Sequence, residues 1–163
     1  MNSSMNAPDA PNEVALVELT KENLRSVLAL SVSPEQAAYV APNAVSVAEA
    51  YFEPCAWFRG VVVDEEPVGF VMVYRDPAAR TFYVWRFMID ARHQGHGFGR
   101  RAMELVIAEA RRDGVNAVTL SFVPGDHSPR DFYARLGFEE TGTIHEGELE
   151  MRLVLEQEPT STS

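Results

Sequence analysis

The sequence predicts an α/β fold, layered as in α+β proteins, in which one mixed, mostly antiparallel sheet of six or seven strands carries helices on both faces. Short runs of apolar and β-branched residues predict the strands, and apolar residues at helical spacing predict the helices. The sequence contains one strand–helix–strand crossover around a glycine-rich loop, and the two strands of such a unit are parallel. We place a single domain at residues 13–155, flanked by disordered tails at residues 1–12 and 156–163 that lack periodic apolar residues.

The N-terminal half of the domain is predicted to contain one strand, two short helices and an antiparallel meander. The first strand covers residues 14–19, and Thr20 is a suitable N-cap for a helix with Leu24 and Val27 at helical spacing. A second short helix is expected over residues 45–52. The meander consists of strands over residues 57–63, 68–74 and 81–89, joined by acidic or proline-containing turns.

The C-terminal half is predicted to contain a long helix, a strand, a short helix and a closing hairpin. The long helix covers residues 102–112 and ends at Asp113 and Gly114, a typical C-terminal stop. The remaining elements are a strand over residues 117–123, a helix over 127–136 and hairpin strands over 138–141 and 148–155. The long helix and its flanking strands form the crossover unit.

Composition narrows the possible partners. The formal net charge of −10 argues against a nucleic-acid binder, because phosphate neutralisation supplies most non-specific affinity for nucleic acids. The single cysteine, Cys55, excludes an internal disulfide framework and a cysteine-based metal site. His93 and His96 lack an obvious third ligand, so no metal is expected. Without a signal peptide or an apolar run of membrane-spanning length, we expect a cytoplasmic protein with no membrane partner.

A glycine-rich loop, Gln-Gly-His-Gly-Phe-Gly-Arg-Arg at residues 94–101, joins a strand to the long helix. Gly95, Gly97 and Gly99 are expected to adopt positive φ angles, and the free N–H groups of the following helix favour an anion. Four arginines crowd this segment against the single acid Asp90: Arg86, Arg92, Arg100 and Arg101. The glycine spacing differs from that of dinucleotide folds, and the P-loop Lys-Ser/Thr pair is absent. The pattern therefore indicates a phosphate-bearing ligand, although a simple connecting turn is the alternative.

Two motifs resemble those of the GNAT family of acyl-CoA-dependent N-acetyltransferases. They are Gln94-Gly95-His96-Gly97-Phe98-Gly99-Arg100 and Phe132-Tyr133-Ala134-Arg135-Leu136-Gly137-Phe138, and the resemblance covers residues 14–155. Residues 36–46, 84–90 and 123–125 are further similar to the bacterial spermine/spermidine and diamine acetyltransferases. The resemblance implies the fold of that family, with the third meander strand and the strand after the long helix splayed apart, and acetyl-CoA as co-substrate without a metal.

The resemblance also implies roles for individual residues. Tyr133 would be the general acid, and the N–H group of Met88 would stabilise the oxyanion. Arg92 is a further candidate for the phosphates. The expected cofactor-binding residues are Phe87, Met88 and Ile89 for the pantetheine arm, and Gln94, Gly95, His96, Gly97, Phe98, Gly99, Arg100 and Arg101 for the pyrophosphate. A homodimer is a possible assembly.

The amine acceptor is predicted from acidic and aromatic residues. Residues 139–150 contain five glutamates and no Lys or Arg. Glu148 and Glu150 lie on one face of the last strand and would bind a cationic amine or relay its proton, while Tyr39 and Trp85 would contact it by cation–π interaction. The alternatives are a solvated acidic surface and aromatic core packing. We expect acetylation of a small polyamine or diamine; an amino acid, an antibiotic, a protein N-terminus, or acyl-CoA sensing without turnover remain alternatives.

Overall fold

A computed structural model describes residues 12–156, which form one mixed sheet. The predicted tails, apart from Asn12 and Glu156, lie outside the described residues. The strands are β1 (Val14–Val17), β2 (Ala56–Val63), β3 (Glu66–Asp76), β4 (Thr81–Ile89), β5 (Ala117–Phe122), β6 (Glu139–His145) and β7 (Glu148–Val154). Within the described part of the chain they form a seven-stranded sheet in the order β1-β2-β3-β4-β5-β7-β6. Each neighbouring pair is antiparallel except β4 and β5. The predicted fold class and parallel crossover are confirmed.

Helices cover both faces of this sheet, as predicted. They are α1 (Leu24–Leu28), α2 (Asn43–Ala50), α3 (Phe98–Arg112) and α4 (Arg130–Arg135). Alternation along β3 separates two cores: Phe70 and Met72 pack with α1 and α2, whereas Val71 and Val73 pack with α3 and with Tyr133 of α4. Among residues 12–156, no helix is long and apolar enough to cross a membrane.

Three predicted helix starts were wrong, each for a local reason. Asn23 rather than Thr20 is at the N-cap of α1; Thr20 closes a turn before the helix, in which its N–H donates to Asn23 Oδ1 over 2.7 Å and its hydroxyl accepts from the Asn23 N–H over 3.4 Å. Helix α3 begins at Phe98 rather than residue 102, directly after Gly97 in the left-handed conformation at φ 79°. Helix α4 begins only after Pro129, because residues 125–128 form a turn in which the Ser128 N–H donates to the Gly125 carbonyl over 3.1 Å.

The parallel strands β4 and β5 separate partway along the sheet. Their pairing runs from Thr81 with Ala117 to Val84 with Leu120 and then stops. Beyond this point β4 stays paired with β3 as far as Ile89, while β5 stays paired with β7. The strands therefore diverge and open a cleft, as the family resemblance implies.

A bulge in β4 lies at the beginning of this cleft. Met72 of β3 is opposite Arg86, but the next residue, Val73, is opposite Val84, so Trp85 is an extra residue. Trp85 packs with the α1 and α2 core, and Arg86 reaches Glu49 of α2. Two consecutive side chains thus lie on the α2 side of the sheet instead of alternating.

Candidate active site

The cleft between β4 and β5 contains a cavity of about 1000 Å³. A cavity of this volume is large enough for a sizeable small-molecule ligand. Most of the predicted site residues line it: Tyr39, Trp85, Phe87, Met88, Ile89, Gln94, Gly95, Gly97, Phe98, Gly99, Arg100, Tyr133 and Glu148. Arg92, His96, Arg101 and Glu150 are not among its lining residues. The fold therefore brings the glycine loop, the bulged strand and Tyr133 to a common space.

The glycine loop has the geometry of an anion site, with one difference from the prediction. Gly95 and Gly97 have φ angles of 83° and 79°, and a Cβ atom on either would meet nothing within 4 Å. The space above them is open to a ligand. Gly99 does not have a positive φ; it lies within α3, where a Cβ atom would be 3.4 Å from Ile89 and 3.5 Å from Phe132. The first N–H groups of α3 have no acceptor within the helix and can bind an anion.

The two arginines at the end of the loop point in different directions. Arg100 lines the cavity, and its Nε atom donates to Glu104 Oε1, 3.1 Å away on the next helical turn. Arg101 instead donates to the Asn12 carbonyl over 2.7 Å. The expectation that both side chains reach the phosphates is therefore supported by position only for Arg100.

Arg92 is held by Asp90, the acidic residue that precedes the glycine loop. Asp90 is 3% exposed, and its carboxylate accepts hydrogen bonds from the Arg92 N–H at 3.0 Å, from Arg92 Nε at 2.9 Å and from the Ser31 N–H at 2.9 Å. Burial opposes ionisation of Asp90, but these hydrogen bonds outweigh it and hold the carboxyl pKa below its ordinary value. Arg92 therefore stabilises the loop through Asp90 and does not extend into the cavity.

The histidines of the loop do not form a metal site with neighbouring groups. His93 Nε2 lies 3.8 Å from Glu66 Oε1, and the His96 ring lies 5.5 Å from the Phe98 ring. Across residues 12–156, no three His, Cys, Asp or Glu side chains are grouped closely enough to hold a metal ion.

At the end of β4, the backbone N–H and carbonyl groups of every second residue face the cleft. The Asp90 N–H donates to the Val68 carbonyl of β3 over 2.8 Å, so this residue faces β3. The Ile89 carbonyl instead accepts a hydrogen bond from Gln94 Nε2 over 2.9 Å, on the side of the glycine loop. Opposed residues of an antiparallel ladder alternate in this way between facing their partner and facing away.

This alternation changes the candidate oxyanion donor. Met88 is opposite Phe70 and, two residues before Asp90, has the same orientation, so its N–H and carbonyl face β3. A Cβ atom on Gly69 of β3 would lie 2.5 Å from the Met88 carbonyl oxygen, which agrees with this orientation. Phe87 has the opposite orientation, and its N–H and carbonyl face the cleft. The Met88 N–H therefore does not face the cleft as its predicted role requires, and the Phe87 N–H does.

Tyr133 is held at the cavity by aromatic packing on α4. It is 6% exposed, and its ring is edge-on to Phe132 at 5.1 Å and to Phe138 at 5.6 Å between ring centroids. The Phe132 ring stacks on Phe87 of β4 at 5.9 Å, which fixes α4 against the cleft. Burial raises the pKa of the Tyr133 phenol, so the hydroxyl remains protonated and available as a donor.

A chain of three polar side chains crosses the opposite face of the sheet. Tyr83 Oη lies 2.7 Å from Ser121 Oγ, and Ser121 Oγ donates to Glu148 Oε2 over 2.7 Å. All three residues line the cavity. Sequence analysis identified Glu148 but missed Tyr83 and Ser121. Ser121, a polar residue in an apolar strand, was the available signal. Glu150 lies opposite Ser121 in the ladder but not in the cavity wall, so the two glutamates do not act together there.

Arg86 places a cation in the same cavity wall. Sequence analysis did not assign this residue to the acceptor site. Its guanidinium lies 3.3 Å from the Glu49 carboxylate and 5.5 Å from the centre of the Trp85 ring. Its Nε atom is buried and has no hydrogen-bond partner within the described residues. Arg86 therefore brings a positive charge to the cavity wall, with its guanidinium also donating to the Trp85 carbonyl over 2.9 Å.

The segment before α2 closes the cavity over the glycine loop. Gln36 and Gln94 exchange two side-chain hydrogen bonds of 3.3 and 2.8 Å. Tyr39 lies against the loop after β5, where a Cβ atom on Gly125 would be only 2.4 Å from its hydroxyl. A side chain at residue 125 would displace the Tyr39 hydroxyl. Tyr39 is thus positioned at the cavity by contact with the β5 end of the cleft.

The chain is similar in sequence and in fold to known acetyltransferases. A spermine/spermidine N(1)-acetyltransferase of Bacillus subtilis is 27% identical over 135 residues, covering 77% of this chain and 88% of that protein. An L-2,4-diaminobutyric acid acetyltransferase of Wolinella succinogenes is 30% identical over 104 residues, covering 60% of each protein. The GNAT domain of S. lividans PAT superposes with a TM-score of 0.71 at 18% identity, covering 87% of this chain and 89% of that one.

A family model settles the relationship that the two motifs predict. The model described as the Acetyltransferase (GNAT) family matches residues 17–138, which include the splayed strands, the glycine loop and Tyr133. The match and the cleft geometry concern the same part of the chain. The protein therefore belongs to the GNAT family and is an acetyl-CoA-dependent N-acetyltransferase.

Proposed function

We propose that this enzyme transfers an acetyl group from acetyl-CoA to a primary amine of a small polyamine or diamine, by direct attack within a ternary complex. The single observation that carries the choice of acceptor is the Glu148 carboxylate in the cavity wall. A negative charge there favours a cationic acceptor. The relative from Bacillus subtilis, named a spermine/spermidine acetyltransferase, supports the same choice.

The glycine loop and β4 fit acetyl-CoA, which supplies the activated thioester. The open space above Gly95 and Gly97, the first N–H groups of α3 and the Arg100 side chain would hold the pyrophosphate. Backbone groups of Phe87 and Ile89, which face the cleft, would bind the pantetheine arm. Met88 would contribute side-chain packing rather than backbone polarity, because its side chain belongs to the α1 and α2 core.

The thioester would react between β4 and α4. The Phe87 N–H would donate a hydrogen bond to the oxyanion that forms when the amine attacks the carbonyl carbon. Tyr133 would donate its phenolic proton to the sulfur as the C–S bond breaks. Since burial raises the pKa of this phenol, its proton is retained until the leaving thiolate creates a demand for it.

The acceptor must lose a proton before it attacks. An aliphatic ammonium has a pKa near that of lysine, about 10.4, so only about one molecule in a thousand is neutral near pH 7. Glu148 would concentrate the cation near the cleft, and Tyr39 and Trp85 would contact its alkyl chain or its charge.

A second acceptor class is favoured by Arg86. Its guanidinium, which belongs to the cavity wall, could bind the carboxylate of an acceptor that also carries an amine, such as a diamino acid. The relative from Wolinella succinogenes is named for such an acceptor. In the polyamine proposal, Arg86 acts only through its ion pair with Glu49.

The test is release of CoA thiol by the purified protein with acetyl-CoA and a panel of amines. The panel contains polyamines, diamines, diamino acids and neutral monoamines, with the Tyr133→Phe variant as control. Higher kcat/KM for polyamines supports the proposal, and higher kcat/KM for diamino acids supports the second class. Binding of CoA without thiol release from any amine would instead support a sensor. The expected homodimer and cytoplasmic location stay predictions, the former checked by light scattering after size-exclusion chromatography.

A further inference from the structure

We propose that Tyr83 and Ser121 carry a proton from the acceptor amine to Glu148, with Tyr83 as the residue that contacts the nitrogen. The inference rests on the proposed acetylation of an amine but does not depend on which amine is used. Neither Tyr83 nor Ser121 belongs to the motifs by which the family resemblance was identified.

The hydrogen bonds of the chain have a fixed direction when Glu148 is ionised. A carboxylate can only accept, so the Ser121 hydroxyl donates its one proton to Glu148 Oε2 across 2.7 Å. Ser121 Oγ then has no proton for Tyr83 and must accept one from the phenol, also across 2.7 Å. The Tyr83 oxygen keeps a free lone pair, and Tyr83 lines the cavity. That lone pair can accept a hydrogen bond from an ammonium group.

The relay crosses three neighbouring strands, which explains why Glu148 would not act alone. Tyr83 belongs to β4, Ser121 to β5 and Glu148 to β7, and these strands are adjacent in the sheet. Two strand spacings separate β4 from β7, about 10 Å. The Phe87 N–H lies on β4, four residues after Tyr83. Four strand residues span about 13 Å between backbones, so the nitrogen would lie in the cavity between the Phe87 N–H and the Tyr83 hydroxyl, and Ser121 would link that hydroxyl to Glu148.

The proton transfer balances without another reactant. The ammonium gives one proton to the Tyr83 oxygen, Tyr83 passes its own proton to Ser121, and Ser121 passes its own to the Glu148 carboxylate. Both hydroxyls are restored, the amine becomes neutral, and Glu148 carries the proton until solvent removes it. The neutral amine then attacks the thioester carbon. Tyr133 is not part of this chain and serves the leaving sulfur.

Other charged groups surround the acid end of the relay. Glu150 is on the same face of β7, and His145 is opposite Glu148 in the β6 ladder. Arg86 of β4 and His127 of the loop after β5 also line the cavity. Any pH profile contains their titration, so the test must compare variants across amines and not rely on one pH profile.

The experiment measures kcat for acetylation of primary amines of graded basicity by the Tyr83→Phe and Ser121→Ala variants. A relay matters most for strongly basic amines, which are charged at neutral pH, and least for weakly basic amines that are already neutral. We expect kcat for strongly basic amines to fall at least about tenfold in both variants, with little loss for weakly basic amines and an unchanged KM for acetyl-CoA. Ser121→Thr keeps the hydroxyl and should retain the parent rate.

Two controls separate the relay from a structural role. Tyr51→Phe removes a phenolic hydroxyl from a side chain that is 85% exposed and outside the cavity, and should behave like the parent. The Tyr83→Phe, Ser121→Ala double variant should lose no more than the worse single variant, because both changes interrupt one chain. Thermal unfolding of each variant identifies any loss of folded protein.

The outcomes are distinct. Equal rate losses for strongly and weakly basic amines, or no loss in either single variant while the parent releases thiol, would overturn the relay and leave the acetyltransferase assignment intact. Thiol release by no amine in the parent would overturn the proposed function, and the relay with it. If kcat falls in Ser121→Ala and falls equally in Ser121→Thr, which keeps the hydroxyl, the relay would also be contradicted.

Discussion

The proposed cofactor end and the proposed acceptor end of the cavity are built from different parts of the polypeptide. At the cofactor end, the binding groups are backbone N–H and carbonyl groups of β4 and of the glycine loop, exposed by the left-handed Gly95 and Gly97. At the acceptor end, the groups are side chains of Tyr83, Ser121 and Glu148 on three adjacent strands. A backbone site constrains consecutive residues, whereas a side-chain site depends on tertiary pairing. The backbone groups at the cofactor end can therefore stay the same while side-chain changes at the acceptor end alter which amine is bound.

Tyr133 lies between these two ends, and its loss should have the largest effect. Tyr133→Phe removes only the hydroxyl, since the ring contacts with Phe132 and Phe138 are retained. We expect turnover to fall by about 10²- to 10⁴-fold, the usual contribution of a positioned general acid, while CoA affinity is unchanged. Steady-state kinetics and calorimetry measure the two quantities. Parent-like turnover, with chemistry limiting the rate, would mean that water protonates the thiolate.

The backbone character of the cofactor end is tested at Gly97. Gly97→Asp places a carboxylate in the open space above the loop and strains a residue at φ 79°, at a cost of about 1–3 kcal/mol. We expect CoA affinity to fall about a hundredfold by calorimetry, because the carboxylate repels the pyrophosphate. Gly97→Asn is the matched control, since asparagine tolerates this conformation and carries no charge. Equal affinity in the Asp variant and the parent would mean that the pyrophosphate lies elsewhere.

The two neighbouring arginines provide a smaller test of the same end. Arg100 lines the cavity, whereas Arg101 bonds the Asn12 carbonyl. Arg100→Glu should weaken CoA binding about tenfold. This loss is near the low end for a hydrogen bond to a charged group, because the Arg100 side chain is exposed. Arg101→Glu makes the same change in charge outside the cavity and should have the smaller effect. The shift in unfolding temperature produced by CoA measures both, and equal losses would show that only the net charge of the loop matters.

The difference between the two ends also determines how much of the site could be predicted from sequence. A glycine-rich turn between a strand and a helix and the motif around Tyr133 are local patterns, so the left-handed Gly95 and Gly97 and the position of Tyr133 at the cavity could be predicted, while their roles stay predictions. The orientation of the Met88 backbone was not predicted. Which residues of β4 face β3 depends on the pairing of the two strands and on the bulge at Trp85. Tyr83 and Ser121 are 38 residues apart and meet only through the β4–β5 pairing, which no local pattern specifies.

Most of the fold could be predicted for the same physical reason. Strand alternation and helical spacing are local, and each predicted strand is present in the described residues with its end shifted by a few positions. Helix starts were less accurate because capping depends on individual hydrogen bonds. Thr20 was predicted as a cap but closes a turn with Asn23, and the helix predicted from residue 127 begins only after Pro129. Strand alternation alone predicted that Glu148 and Glu150 act together. Alternation shows that both side chains lie on one face of β7, but it does not give the distance of either side chain from the cleft.

The acceptor end is tested by comparing these two glutamates. The effect on acceptor binding is the smallest expected, whereas kcat for strongly basic amines should fall in Glu148→Gln as in Ser121→Ala, because Glu148 ends the proposed relay. Glu148 lines the cavity and Glu150 does not, although both lie on one face of β7. Glu148→Gln keeps the size of the side chain and an acceptor for the Ser121 hydroxyl but removes the charge. We expect its KM for a polyamine to rise about two- to fivefold, the range for a partly exposed ion pair, with KM for acetyl-CoA unchanged. Glu150→Gln should be closer to the parent.

Salt dependence sharpens this last comparison. If Glu148 attracts the acceptor through its charge, added salt should raise the polyamine KM of the parent, since exposed charges are screened beyond about 8 Å at physiological ionic strength. The salt dependence should be weaker in Glu148→Gln and nearly unchanged in Glu150→Gln. A primary monoamine serves as the matched control acceptor, because it carries a single positive charge and should respond less than a polyamine. Equal kcat/KM for polyamines and diamino acids, with both glutamine variants behaving like the parent, would rule out polyamine selection by Glu148 and shift attention to Arg86, while the acetyl transfer itself would stand.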